Sequence, residues 1–218
     1  MTEAGNFSPF NFPPVDAGLS NSSLYSIEGH PDRVVRFHIS DDLDQGPRFK
    51  QLFGEFGDYG IDVPNSSWVW GTRDGKQGLY IITDKIVGLN LDDAIRSEKT
   101  KIAPVVDTLM ANIARYYTNK YINGGLYLSD IRSDQFIYNA DESKAYMVDF
   151  GVVADNCITS ERSTRLNLLH RVRCLSQDVA SAEYEIGHPL EIIRNALGKF
   201  VESVDNSDID YLEIAISL

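Results

Sequence analysis

The stretch Tyr127–Gly151, YLSDIRSDQFIYNADESKAYMVDFG, decides how this chain is read. Phe136-Ile137-Tyr138 is a short apolar run of strand type, and Ala145-Tyr146-Met147-Val148 is a second. The segment between them, Asn139–Lys144, carries the Asn, Asp and Ser residues that favour turns. The pattern predicts a loop ending at Gln135, an antiparallel hairpin, and then Asp149-Phe150-Gly151 at its exit. A hairpin brings its two open ends together, with neighbouring strands about 5 Å apart. Gln135 and Asp149 are therefore expected side by side, and Asp130 lies within reach of the same point. Two carboxylates and one amide oxygen converging there form an oxygen cage suited to a hard cation such as Mg²⁺.

The 218-residue chain has room for one well-cored domain or for two small lobes sharing a cleft. With 43% hydrophobic and 24% charged residues, its composition is that of a soluble globular protein. A formal net charge of −12 argues against a nucleic-acid or anionic-membrane surface, which needs clustered Lys and Arg. ATP remains compatible, because it needs only a local positive site. Cys157 and Cys174 form no C-x-x-C pair, so reduced thiols in a reducing compartment are expected. The N-terminus has no basic start followed by an apolar run, and no stretch approaches the ~20 apolar residues of a membrane span. The expected location is cytoplasmic.

Residues 1–14 hold three phenylalanines and three prolines without periodicity and read as an irregular arm. Leu24–Ile27 and Val34–Ile39 are strand-like, with a turn over Glu28–Asp32. Pro47–Phe56 reads as a helix whose Phe49, Leu52, Phe53 and Phe56 share one face. Trp68–Trp70 and Leu79–Thr83 are two further strands around a hairpin turn. Residues 15–83 thus make a small antiparallel sheet with one helix, and 84–89 make a connector. Asn90 is the expected N-cap of a short helix, Leu91–Arg96. The longest helix is predicted over Ile102–Tyr121 and stops at Asn123-Gly124-Gly125. After Gly151 helices are expected over 162–176, 178–186 and 189–204, with a short apolar end at 212–218. No histidine pairs with a Ser or Cys in a nucleophile motif, which gives hydrolase triads no support.

A small β lobe with one helix, a connector, and a helical lobe carrying a loop, a hairpin and Asp-Phe-Gly follow one another over residues 15–155. In this order, and in the motifs at the hairpin, the chain resembles the protein-kinase-like superfamily. The catalytic-loop pattern H-R-D-x-x-x-x-N is matched by Leu128-Ser129-Asp130-Ile131-Arg132-Ser133-Asp134-Gln135. The Asp is kept, Leu and Ser stand for His and Arg, and Gln stands for Asn. The D-F-G triplet is intact. Of the glycine-rich loop only Gly18 survives, with Ser20 and Ser23 replacing the other glycines and Ser22 between them. Arg36 stands where the family has its strand lysine, and Glu55 is the expected acid partner on the helix.

The resemblance implies a bilobal α+β fold with a reduced C-lobe over 90–218. It also implies ATP and Mg²⁺ as cofactors and transfer of the γ-phosphoryl group to a protein or small-molecule hydroxyl. Asp149 and Gln135 are the implied metal ligands. Asp130 is the implied acceptor of the hydroxyl proton, with Arg36 and Glu55 completing the catalytic set. Gly18, Ser20, Ser22, Ser23 and Arg36 are the implied phosphate contacts. Thr83, Asp84 and Ile86 are the implied residues beside the base. Nothing after Gly151 resembles A-P-E, and the substrate-presenting segment is shortened to 152–161, which implies a minimal kinase. The substitutions at Arg36, Ser129 and Gln135 open a second expectation: an inactive, nucleotide-binding regulatory module of the same shape.

Overall fold

A computed structural model of the protein describes residues 24–27, 29–128, 131–149, 154–157 and 162–182, with 194–196, 198, 199, 201, 202, 204 and 208. These residues form an α+β fold of antiparallel sheets and five helices, one of them a single 3-10 turn. They divide into two compact units. The first comprises the described residues up to Gln51 together with Pro64–Ile86, and the second comprises Leu52–Val63 together with the chain from Val87 onward.

In the first unit, β1 (Leu24–Ile27), β2 (His30–Ile39), β3 (Ser66–Arg73) and β4 (Lys76–Asp84) form one antiparallel sheet in the order β1-β2-β4-β3. Val35, Leu79 and Ile81 are buried in it. The β3–β4 turn is Asp74-Gly75, with φ of 52° and 74°. Positive φ at both central residues matches the right-handed twist of the flanking strands, and Asp-Gly supplies it at low steric cost. The expected turn over Glu28–Asp32 is shorter than the sequence suggests, because β2 already begins at His30. Pairing jumps from Ser26↔Val34 to Ile27↔His30, so residues 31–33 bulge away from β1. A bulge tolerates Pro31, which has no N–H to give a ladder. On helix α1 (Gln45–Asp58), the Phe49 ring lies 5.9 Å from the His38 ring of β2.

In the second unit, Leu52 and Phe56 of α1 are buried, and the Phe56 ring lies 5.1 Å from that of Tyr116. Tyr116 belongs to α3 (Lys99–Asn123), which extends the expected helix at both ends and buries Leu109, Ile113, Tyr116, Tyr117 and Tyr121. Gly124 and Gly125, at φ of 72° and 96°, end it. Helix α2 (Leu91–Ser97) starts as expected, with the Asn90 side chain accepting from Asp92 N–H. Helix α4 (Arg162–Ala182) is continuous where two helices are expected. Asp178 sits inside it without breaking it. Buried Asp208 accepts from Tyr121 Oη at 3.1 Å and from Arg162 Nε at 3.0 Å, which ties it to α3 and α4.

The hairpin is present as β7 (Phe136–Asn139) and β8 (Lys144–Met147), in the register Phe136↔Met147 to Asn139↔Lys144. Phe136, Tyr138, Ala145 and Met147 face the core as cross-strand pairs. Strand β5 (Leu89–Asn90), where the expected connector meets the Asn90 cap, pairs with β7. Two more short strands, β6 (Gly125–Leu128) and β9 (Ala154–Cys157), pair with each other where the sequence reads as loop. The arm 1–14, the C-terminal end 212–218 and most of the helix expected over 189–204 lie outside the described residues.

Two glycines should respond oppositely to one methyl group. Gly78→Ala would place a Cβ 2.2 Å from the His38 backbone oxygen, so we expect a loss of about 1–3 kcal/mol. Gly54→Ala meets nothing within 4 Å on the exposed side of α1 and should gain about 0.5–1 kcal/mol. Urea-unfolding midpoints of the two variants check both signs.

Candidate functional site

The site is built where the loop before β7 meets the exit of β8. Gln135 closes it. Its backbone carbonyl accepts the N–H of Val148 at 2.8 Å and that of Asp149 at 3.4 Å, so the two hairpin ends are bonded to each other. Its side-chain oxygen accepts the Arg132 N–H at 2.9 Å and folds the 3-10 turn Ser133–Gln135 back on itself. Gln135 is almost fully buried, at 1% exposure, so these bonds compensate polar groups that water does not reach. Asp149 is half-buried beside it. Gln135 and Asp149 are thus brought together as the hairpin reading expects.

The loop itself is held from three directions. Ile131 and Ser133 point inward and are buried, while Arg132 and Asp134 are exposed. The Asn90 amide uses both ends: its oxygen caps α2, and its nitrogen donates to the Asp134 carbonyl at 3.2 Å. The Ser133 N–H lies close enough to the Asp178 carboxylate of α4 to oppose the rise in its pKa. Upstream, Tyr117 Oη donates to the Leu128 carbonyl at 2.8 Å and fixes β6 on α3 just before the loop. The carboxylates Asp92, Asp134 and Asp178 lie near one another. Burial raises the Asp178 pKa first, the Ser133 bond opposes the rise, and the charges of Asp92 and Asp134 add to it.

Asp149 and Gln135 offer oxygen donors of the hard type that Mg²⁺ takes. The amide oxygen of Gln135 has two acceptor positions, and Arg132 uses one. Among the described residues no three His, Cys, Asp or Glu side chains form a metal cluster. Asp130 and Ser129, and Phe150 and Gly151, lie outside the described residues, as do Gly18, Ser20, Ser22 and Ser23.

The remaining expected residues are placed as follows. Glu55 forms an ion pair with Lys120, whose Nζ donates to its carboxylate at 2.5 Å. Lys120 is itself 5% exposed and stacks near the Tyr116 ring. Arg36 is half-buried in β2, opposite Leu24 on one side and Ile81 on the other. Thr83 and Asp84 end β4, and Ile86 follows. Asp84 is engaged in its own sheet: Asn65 Nδ2 donates to its carboxylate at 2.7 Å, and its N–H reaches the Asn65 carbonyl at 3.0 Å. The neighbouring Lys85 N–H bonds the Asp32 carbonyl at 2.7 Å.

Asp178, Lys120 and Tyr117 were not among the expected residues. Asp178 had a faint signal, an acid inside a helix whose other nearby residues are apolar or uncharged. Lys120 and Tyr117 had none, because their partners are distant in sequence. No protein-family model matches the chain, and no curated protein matches it. Among the described residues no helix is long and apolar enough to cross a membrane.

Asp178 gives the site a pH dependence of known sign. Its folded pKa is raised, so its contribution to stability is present below the ordinary carboxylate value of about 3.9 and is lost as pH rises through the folded value. Asp178→Asn keeps an oxygen for Ser133 and removes the charge. It should melt higher than wild type at pH 7, with the advantage vanishing by about pH 4. Asp178→Ala also removes the charge and should show the same dependence on pH. Thermal melts between pH 4 and pH 8 measure both.

Proposed function

We propose that the chain is an ATP-dependent phosphotransferase with a bilobal, protein-kinase-like fold, which passes the γ-phosphoryl group of ATP to a protein or small-molecule hydroxyl. The observation that carries this reading is the bonded mouth of the hairpin. It sets Asp149 beside Gln135, at the end of the loop that bears Asp130 in sequence. The element order supports it as well: helix α3, strand β6, the loop, the hairpin, Asp149-Phe150-Gly151, then β9 returning to pair with β6.

In this reading Asp149 and Gln135 hold Mg²⁺. Bound Mg²⁺ neutralises phosphate charge and orients the terminal phosphoryl group. Asp130 accepts the proton of the attacking hydroxyl as the new phosphorus–oxygen bond forms and the bond to ADP breaks. Arg36 contributes positive charge to the phosphates, while Glu55, expected as its acid partner, is held by Lys120. Gly18, Ser20, Ser22 and Ser23 offer backbone and hydroxyl donors to the same groups. Thr83, Asp84 and Ile86 lie beside the base. An exposed loop held by buried anchors suits this chemistry, which depends on positioning more than on covalent steps.

A second reading is a nucleotide-binding regulatory module without transferase activity. Two bonds favour it: the Gln135 amide oxygen is already engaged by Arg132 N–H, and the Glu55 carboxylate by Lys120.

Thermal shifts with ATP, with and without Mg²⁺, test both readings. At 100 times Kd a ligand of the folded state adds about 2.7 kcal/mol, which corresponds to roughly 5–11 °C for a chain of this size. We expect a Mg²⁺-dependent shift that Asp149→Asn abolishes, and labelled phosphate transfer that Asp130→Ala abolishes. A shift without transfer to a broad acceptor panel selects the regulatory reading. The absence of any shift with ATP overturns both.

A further inference from the structure

A hollow of about 490 Å³ lies within the second unit, away from the hairpin mouth. It is lined by Tyr59, by one face of α3 between Ala111 and Asn123, and by Asn195, Ala196 and Lys199. Its floor is apolar. Ala114 and Ala196 are each 6% exposed, and their small side chains leave the space unfilled. Ile122 stands at the mouth with 55% of its surface exposed, an uncovered large apolar side chain.

Among the described residues, the charged side chains lining the hollow share one sign. Arg115 and Lys199 line it, and no Asp or Glu does among the described residues, although the chain has 32 acidic residues against 20 basic ones. Arg115 is exposed, and its guanidinium sits 5.9 Å from the centre of the Tyr59 ring. Asparagine and threonine side chains complete the rim and can share hydrogen bonds with a charged group. An apolar floor with a few convergent polar groups is the usual form of a small-molecule site, and its volume falls in the usual range of about 300–1,000 Å³.

We propose that this hollow binds a single-chain amphiphile with an anionic end, a fatty carboxylate of about twelve carbons. The hollow's volume of about 490 Å³ is on the scale of one medium-length alkyl chain with its headgroup at the rim, such as dodecanoate. The alkyl chain lies on the alanine floor and covers Ile122. The carboxylate meets Arg115 in a charge-assisted hydrogen bond, for which a guanidinium is the suited donor. A cationic headgroup on the same chain would face the Arg115 guanidinium and is disfavoured. This site is independent of the nucleotide reading above.

Isothermal titration with dodecanoate and with dodecyltrimethylammonium, each kept below micelle formation, tests the assignment. We expect one dodecanoate per chain with a Kd of roughly 10–100 μM, and at least tenfold weaker binding of the cationic amphiphile. Arg115→Glu should reverse that preference. Ala111→Phe, an exposed position on the rim, should weaken dodecanoate at least tenfold by occupying the hollow. Both substituted positions are exposed, so the variants should keep the wild-type melting temperature. A third arm uses phosphatidylglycerol vesicles. Vesicle binding without saturable dodecanoate binding overturns the proposal in favour of a membrane-held lipid. Equal affinity for the two amphiphiles, or dodecanoate binding unchanged by both variants, also overturns it.

Discussion

The second unit depends on how one buried glutamine is satisfied. Gln135 spends its carbonyl on the two N–H groups at the exit of the hairpin and its amide oxygen on the N–H that opens the loop. Each bond replaces one that water would otherwise supply, and a single one left unmade would cost about 1–3 kcal/mol. A side chain one methylene shorter would reach the Arg132 N–H only if the loop moved. Gln135 is therefore the residue that shapes the loop.

Around that centre, the loop is held by groups that come from far along the chain. Asn90 reaches it from the start of α2, Asp178 from α4, and Tyr117 fixes the strand that feeds it. Together they leave Arg132 and Asp134 facing water while Ile131 and Ser133 are buried. A segment held in this way keeps its exposed groups in place with no more regular structure than a single 3-10 turn. That is the usual condition for a functional loop on a rigid support.

Charge is handled differently in the interior and at the surface. Lys120 is buried and finds its counter-charge in Glu55, which lies 65 residues away in sequence. Asp208, fully buried at its side chain, is matched by Arg162 and Arg165. Removing one partner of such a pair leaves an uncompensated charge, which makes these pairs more consequential than the exposed ones at Arg48–Asp42 or Arg96–Asp93. Asp178 is the exception. Burial and the two acids near it raise its pKa against the pull of the Ser133 N–H.

Local pattern by itself determined much of the framework. The alternation in Phe136–Tyr138 and Ala145–Met147, the Asp74-Gly75 turn, the Asn90 cap and the Gly124-Gly125 stop were legible because each is a property of a few adjacent residues. From the hairpin alone came the meeting of Gln135 and Asp149. Tertiary structure alone decided the β6–β9 pairing, the capture of Glu55 by Lys120, the uninterrupted α4, and the use of Asp178 and Asn90 as anchors. Strands of four residues carry too little periodicity to announce themselves. A buried charge takes whichever counter-charge the packing brings near, and no spacing in the sequence records that choice.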